Sequence, residues 1–88
     1  MHIEIKRSFN KDIEGIKDKK ILKAVLAIIQ NIEKAISIRE LKNVVKIKGS
    51  KNHYRIRLGD YRLGLLIENK TVVMVRFLHR KEIYKYFS

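Results

Sequence analysis

The hydrophobic and polar positions of the chain change period along its length, and each change predicts an element. Ile3 and Ile5 alternate with charged residues within 2–7, which is typical of a half-buried strand. A short helix is then predicted from Ser8, a residue suited to the N-cap position, to about Gly15, because apolar residues recur there at a spacing of three or four.

Residues 18–36 carry the longest helical pattern in the chain. Apolar side chains recur every three or four residues, and charged or amide side chains occupy the other side. The pattern predicts a long amphipathic helix whose apolar stripe faces a core. The apolar set is Leu22, Val25, Leu26, Ile29, Ile32 and Ile36.

The second half of the chain has the pattern of strands. An extended segment over 44–48 is followed by three alternating runs, which two-residue turns at 59–60 and 69–70 separate. The three runs cover 53–58, 61–67 and 71–78. Glycine at the first position of the turn at 59–60 favours a type II′ hairpin.

The predicted order is a strand, two helices, three or four antiparallel strands and, over 81–87, a short terminal helix or a tail. Two amphipathic helices bury their stripes against one face of such a sheet, so the expected class is α+β. A chain of 88 residues has room for one core, and we expect 1–88 to form a single domain.

The composition narrows the kinds of site that the chain can hold. It has no Cys, which excludes disulfides and thiolate metal sites, and its three His residues have no metal-ligand spacing. We therefore expect no metal and no cofactor. The longest apolar run, residues 24–29, is far shorter than the ~20 residues of a membrane span, so we expect a cytoplasmic protein without a membrane part.

A strong positive charge is the most unusual property of the chain. Lys and Arg number 21 against 9 Asp and Glu, which gives +12. Residues 42–88 hold twelve basic and three acidic side chains, or +9, whereas residues 1–41 hold nine and six, or +3. An uneven excess of this kind indicates a polyanionic partner, most often nucleic acid.

The predicted hairpin brings three arginines to one side of the sheet. With a two-residue turn at 59–60, Arg57 lies opposite Arg62 and Arg55 lies opposite Gly64. We call the side that carries Arg55, Arg57 and Arg62 the arginine face. Like charges in register repel each other, and a bound phosphate would remove that repulsion. An ordinary solvated sheet surface is the alternative interpretation.

The same register extends to the last strand and adds further groups to this side. Continued through the turn at 69–70, it places Phe77 opposite Arg62 and His79 on the same side. Gly64 leaves a gap in the surface where a nucleobase or a backbone can approach closely.

Three stretches of the chain resemble a known protein family. They are KIKG at 46–49, YRIRLGDYR at 54–62 and VRFLHRKEIY at 75–84. Together with the preceding strand and helix pair, they resemble the RelE/ParE superfamily of toxins from type II toxin–antitoxin systems over essentially the whole chain. The resemblance is closest to the RelE-like mRNA interferases.

This resemblance implies a ribosome-dependent endoribonuclease that cuts mRNA in the ribosomal A site. It also implies a cognate antitoxin with an acidic segment that covers the basic face. The implied reaction is attack of a ribose 2′-hydroxyl on the adjacent phosphate, which needs a base, an acid and positive charge at the phosphoryl oxygens. The reaction needs no metal.

The resemblance further implies roles for individual residues. Arg62 corresponds to the phosphate-binding arginine and would stabilise the transition state, with Arg57 and Arg80 assisting. Tyr84 corresponds to the C-terminal tyrosine and is a candidate acid or base, because Arg80 one helical turn earlier would favour its phenolate. The residues expected to bind RNA are Arg55, Lys48, Lys51 and Phe77.

The general base stays open at this point. The imidazole of His79 exchanges protons near neutral pH, so either His79 is the base while Tyr84 stacks on a nucleobase, or Tyr84 is itself the base. Some RelE relatives carry lysine where this chain has its two strand arginines, and arginine does not release its proton. Lys48 or Lys51 of the glycine loop is therefore a third candidate.

Two other functions also stay open. A ParE-type toxin inhibits DNA gyrase by binding and cleaves nothing, although such toxins generally lack the terminal pair that Arg80 and Tyr84 represent here. A non-catalytic RNA- or ribosome-binding module would use the basic face only to follow phosphates.

Overall fold

A computed structural model describes residues 1–87 as a five-stranded sheet with helices on both faces. The strands are β1 His2–Ile5, β2 Val44–Lys46, β3 His53–Leu58, β4 Tyr61–Glu68 and β5 Thr71–His79, in the spatial order β1-β5-β4-β3-β2. The helices are α1 Arg7–Glu14, α2 Lys19–Lys34 and α3 Arg80–Tyr86, and a 3₁₀ turn covers Ile38–Glu40.

The predicted α+β class is confirmed, with one difference in the sheet. The N-terminal strand does not stand apart from three or four antiparallel strands. Instead, β1 pairs in parallel with β5, from His2 opposite Thr71 to Ile5 opposite Met74, and the sheet is mixed. Alternation identifies a half-buried strand but not its partner, which here lies at the other end of the chain.

The core lies between the sheet and the helices α1 and α2. Leu63 and Leu65 of β4 are fully buried against Phe9 of α1 and Ile32 of α2. The buried stripe of α2 is narrower than the apolar set predicted for it, since Leu26 is 54% exposed. A small sheet covers only part of the circumference of a helix, so some apolar residues of the pattern stay outside.

Helix α2 begins where the sequence pattern predicts but ends earlier than predicted. Its N-cap is Asp18, whose carboxylate accepts the Lys20 N–H at 2.8 Å. The helix ends at Lys34, two residues before the predicted end. Ile36 therefore lies outside the helix and is 75% exposed.

Helix α1 covers the edge of β5 that β1 leaves open. The Ser8 hydroxyl donates to the Val75 carbonyl at 2.6 Å, and the Asp12 carboxylate accepts the Phe77 N–H at 2.9 Å. The predicted N-cap role of Ser8 is therefore wrong, because Lys6 holds the cap position without a side-chain hydrogen bond. The Ser8 and Asp12 bonds satisfy backbone groups that would otherwise stay unpaired at the sheet edge.

Replacing Asp12 by alanine is expected to lower the free energy of unfolding by about 2 kcal/mol. The carboxylate holds the Arg76 guanidinium through Nε at 2.8 Å and Nη2 at 3.0 Å, besides accepting the Phe77 N–H. Urea unfolding of Asp12→Ala measures the change. Glu14→Ala, at an exposed position of the same helix, is the control and should shift stability by less than about 0.5 kcal/mol. Equal shifts in the two variants would contradict the role of Asp12.

The β3–β4 hairpin has the predicted register. Gly59 has a φ of 57°, in the left-handed region that the first position of a type II′ turn requires. Arg57 lies opposite Arg62, and Arg55 lies opposite Gly64. The arginine face therefore forms as the turn length predicts.

The β4–β5 pairing contains a β-bulge that the prediction lacked. Directly after Gly64 the register shifts, and Val75 of β5 is an extra residue. One extra residue reverses which side chains point to each side of a sheet. Leu78, rather than Phe77, therefore lies opposite Arg62, and the predicted register of this strand pair is wrong.

Candidate active site on the arginine face

Two arginines of the arginine face lie beside the hairpin turn. Nη1 of Arg62 donates to the carbonyl oxygens of Gly59 and Tyr61, each at 2.8 Å. These bonds fix the guanidinium against the turn and leave its other nitrogens available to an anion. Arg57 lies directly opposite on β3 with an exposed side chain. The turn thus presents two cations side by side.

Helix α3 starts at the same end of the sheet and extends over the arginine face. It is tied to the turn by the Arg80 N–H, which donates to the Asp60 carbonyl at 2.7 Å. Tyr84 lies one helical turn after Arg80. The centre of its ring is 4.7 Å from the guanidinium carbon of Arg55, which is a cation–π contact. Tyr84 remains 62% exposed. The structure thus brings Tyr84 and the start of α3 to the arginine face.

The gap expected above Gly64 is filled by the protein itself. The ring of Phe87, the residue after α3, lies over Gly64 and is 6% exposed. The same ring lies 5.2 Å from the imidazole of His53. Of the two expected occupants, a nucleobase or a backbone, neither fills this gap, because a side chain of the protein occupies it.

The bulge also moves Phe77 to the core side of the sheet. Phe77 is 2% exposed, and its ring stacks on Tyr61 at a centroid distance of 5.0 Å. Its predicted contact with RNA is therefore wrong, because a ring buried on the face that α1 and α2 cover offers no surface to a nucleobase.

His79 lies with Tyr61 rather than with the arginines. The two rings meet edge to face at 5.8 Å, and Nδ1 of His79 accepts the Lys81 N–H at 3.1 Å as the N-cap of α3. In the neutral imidazole this bond leaves the proton on Nε2. His79 therefore has no free lone pair with which to act as a general base in this arrangement, and its expected place on the arginine face is wrong.

Lys48 and Lys51 are separated from the turn arginines. Both are exposed in the connection between β2 and β3, whereas Arg57 and Arg62 lie at the other end of β3. The structure therefore does not bring these lysines to the phosphate position that the arginines suggest. They extend the positive surface instead.

His53 is a residue of this face that the sequence interpretation left out. It opens β3, and its Nδ1 lies 2.5 Å from the Ser50 hydroxyl. The sequence contained a signal for this placement. His53 and Arg55 are two residues apart on a strand, and such residues share a side.

Among the residues that the structure describes, 1–87, the arginines of the site form no ion pair with a carboxylate. Within residues 1–87, the ion pairs join Asp12 to Arg76 and Glu82 to Lys85. The arginines outside these pairs include Arg55, Arg57, Arg62 and Arg80. An uncompensated group of guanidinium side chains attracts polyanions and suits bidentate contact with phosphate.

Comparison with known proteins identifies the family. Residues 3–84 match the sequence profile described as "ParE toxin of type II toxin-antitoxin system, parDE". The chain belongs to the RelE/ParE family of toxins. It is 39% identical over 88 residues to Toxin RelE3 of Methanocaldococcus jannaschii, with 99% of each chain covered.

Solved structures agree with this membership. A chain in the RelB-RelE antitoxin-toxin complex from Methanococcus jannaschii is 37% identical, with a TM-score of 0.82 and coverage of 97% of this chain and 99% of that chain. The archaeal RelE-RelB complex from Pyrococcus horikoshii OT3 shares the fold, with a TM-score of 0.73, 24% identity and coverage of 90% and 93%. The protein is thus a RelE-family toxin of a toxin–antitoxin module.

Residues 1–87 of this RelE-family toxin contain neither a candidate membrane-spanning helix nor a group of candidate metal ligands. None of its described helices is long and apolar enough to cross a membrane. In the same part of the chain, no three His, Cys, Asp or Glu side chains gather into a group that would hold a metal ion.

Proposed function

We propose that this toxin is an endoribonuclease that cuts mRNA in the ribosomal A site, and hence acts in the cytoplasm. The observation that carries the proposal is a group of arginines that form no ion pair within residues 1–87, one of which, Arg55, contacts the exposed ring of Tyr84. Its 39% identity to Toxin RelE3 supports the same activity. Arginines without carboxylate partners are available to the phosphate, and Tyr84 is available to exchange a proton.

The proposed reaction is an internal phosphoryl transfer. The ribose 2′-oxygen attacks the adjacent phosphorus, the bond from phosphorus to the 5′-oxygen breaks, and the products carry a 2′,3′-cyclic phosphate and a 5′-hydroxyl. The 2′-hydroxyl proton passes to a base, and an acid returns a proton to the leaving 5′-oxygen. Charge builds on the non-bridging oxygens, where fixed cations lower the barrier.

The residues divide these tasks by their position. Arg62, fixed by its two bonds to the turn, contacts the non-bridging oxygens, and Arg57 and Arg80 add positive charge at the same end. Tyr84 exchanges the proton, since its exposed ring contacts the Arg55 guanidinium while His79 faces the other side of the sheet. Arg55 holds the Tyr84 ring and neighbouring phosphates. Arginine suits these tasks because it stays charged at all accessible pH values.

Mapping mRNA ends after incubation with programmed ribosomes tests the proposal. New 5′ ends should appear at codons in the A site, and the upstream fragments should end in a cyclic phosphate. Intact message on toxin-treated ribosomes would contradict the proposal, and inhibition of gyrase supercoiling without any cut message would favour the ParE-type function instead.

We also propose a cognate antitoxin with an acidic segment that covers the arginine face. The two structural relatives described above are antitoxin–toxin complexes, and unpaired arginines complement carboxylates. The small protein encoded beside this gene should copurify with the toxin, and its affinity should fall with salt. Equal affinity for the wild type and for Arg57→Ala with Arg62→Ala would contradict this docking site.

A further inference from the structure

Phe87, the residue that follows α3, packs tightly against Gly64 of β4. A Cβ atom at Gly64 would lie 2.7 Å from Cγ, 2.8 Å from Cδ2 and 3.0 Å from Cδ1 of the Phe87 ring. The φ angle of Gly64 is outside the left-handed region, so its backbone does not require glycine. Space for the ring is the property that glycine supplies at this position.

Two apolar side chains hold the terminal segment in place. Ile83 is fully buried and Phe87 is 6% exposed, one helical turn apart on the side that meets the sheet. Tyr84, between them in sequence, is 62% exposed above Arg55. The position of the Tyr84 ring therefore depends on how α3 is seated by its buried neighbours.

Phe87 also has a lateral contact that fixes its ring. The His53 imidazole lies 5.2 Å away at an angle of 53°, and the Ser50 hydroxyl holds Nδ1 of that imidazole at 2.5 Å. The Phe87 ring thus packs on Gly64 from one direction and on the imidazole of His53 from another, and a hydrogen bond to Ser50 holds that imidazole. An arrangement of this kind defines one position for the ring of Phe87.

A helix as short as α3 depends on such contacts. It has seven residues, and a helix of this length is not stable alone in water. Its fixed points are the Arg80 N–H on the hairpin turn at one end and Phe87 on the sheet at the other. Loss of the second point frees the end that follows Tyr84.

We propose that Gly64 and Phe87 are positioning residues, which seat α3 so that the Tyr84 ring is held over Arg55 in the cutting site. The inference rests on the proposed RNA cleavage. Neither residue touches the phosphate. Their effect passes through the position of the Tyr84 hydroxyl, for which a displacement of about 1 Å is enough to lower a rate about 100-fold.

A cycle of four proteins tests this inference. Gly64→Ala adds one methyl group against the ring, Phe87→Ala removes the ring, and the double variant combines them; wild type completes the cycle. Gly15→Ala is the matched control, because its new Cβ would meet Asp12 at an ordinary 3.5 Å. Cutting of mRNA on programmed ribosomes gives kcat and KM for each protein. Thermal melting checks the fold.

We expect Gly64→Ala to lower kcat about 10- to 100-fold with KM changed less than about threefold, while Gly15→Ala cuts as wild type does. Phe87→Ala should show the same loss. In the Phe87→Ala background, the change Gly64→Ala should have no further effect, because alanine is otherwise at least as favourable as glycine in a strand. If Gly64→Ala fails to fold, Phe87→Ala carries the test, since it adds no bulk to the sheet.

A second measurement separates this inference from the proposed function. Trypsin cuts after Arg80, Lys81 and Lys85 of α3, and under native conditions the rate of cutting at these sites should rise about tenfold in Gly64→Ala and Phe87→Ala but not in Gly15→Ala. A toxin that cuts no RNA yet shows this trypsin pattern would overturn the proposed function and retain the seating of α3. Wild-type kcat and trypsin rates in Gly64→Ala, or an equal loss from Gly64→Ala with and without Phe87, would overturn the positioning role.

Discussion

Replacing Arg62 by alanine is expected to lower the rate of mRNA cutting about 100- to 1000-fold. Two bonds of 2.8 Å to the Gly59 and Tyr61 carbonyls hold the guanidinium before any substrate arrives. A cation that is already oriented stabilises the charge of the transition state without further rearrangement, and a flexible one does so less well. Single-turnover cutting on programmed ribosomes, with end mapping, measures the loss.

The controls for Arg62→Ala separate charge from geometry and from folding. Arg39→Ala removes an equal charge from an exposed residue of the 3₁₀ turn, outside the β3–β4 hairpin, and should cut at the wild-type rate. Arg62→Lys keeps the charge without the planar fork and should restore only part of the activity. A melting temperature near that of wild type shows that the fold is retained. Cutting by Arg62→Ala within about threefold of wild type would remove Arg62 from the site, as would an equal loss in Arg39→Ala.

The arginine face was predictable because the length of the turn fixes which side of the sheet each residue of the hairpin faces. A two-residue turn with Gly59 leaves one register for β3 and β4, and in that register Arg55 and Arg57 share a side with Arg62. No tertiary information enters this step. The period of the flanking strands then assigns the opposite side to the core, which contains Leu63.

The side of the sheet that each residue of β5 faces was not predictable in the same way, because a bulge reverses the alternation of sides beyond it. Val75 adds one residue to β5, and the side chains beyond it change sides. Phe77 thereby moves to the core and His79 moves to Tyr61, so that two expected members of the site lie elsewhere. A glycine inside a strand is often a sign of a bulge or of close packing, and Gly64 has both beside it.

The surface on which α3 packs also could not be predicted from the periodic pattern of the sequence. The spacing of Ile83 and Phe87 indicates one apolar side of a terminal helix, but it does not identify the surface that this side covers. Here the surface is the arginine face itself, and the open side of Gly64 receives a protein ring rather than a ligand. The same packing puts Tyr84 over Arg55, which the resemblance to RelE toxins implied only as a role and not as a position.

Replacing Tyr84 by phenylalanine is expected to lower cutting about 100- to 10,000-fold if its hydroxyl exchanges the proton, because general acid–base catalysis contributes rate factors of about this size. The change keeps the ring whose face lies 4.7 Å from the Arg55 guanidinium, so the seating of α3 and the cation–π contact should persist. Single-turnover rates at several pH values measure the effect. Tyr54→Phe, on the core side of β3, is the matched control and should cut as wild type does.

Tyr84→Ala distinguishes proton transfer from stacking on a nucleobase. For proton transfer, loss of the hydroxyl accounts for most of the effect, and Tyr84→Ala is only slightly slower than Tyr84→Phe. For stacking, Tyr84→Phe retains nearly full activity and Tyr84→Ala loses about 10- to 100-fold, since stacking of a base on an aromatic ring contributes about 1–3 kcal/mol. The second pattern would contradict the acid–base role given to Tyr84 and would make the imidazole of His53 a new candidate for the proton acceptor, since it shares the face with Arg55 and contacts Phe87.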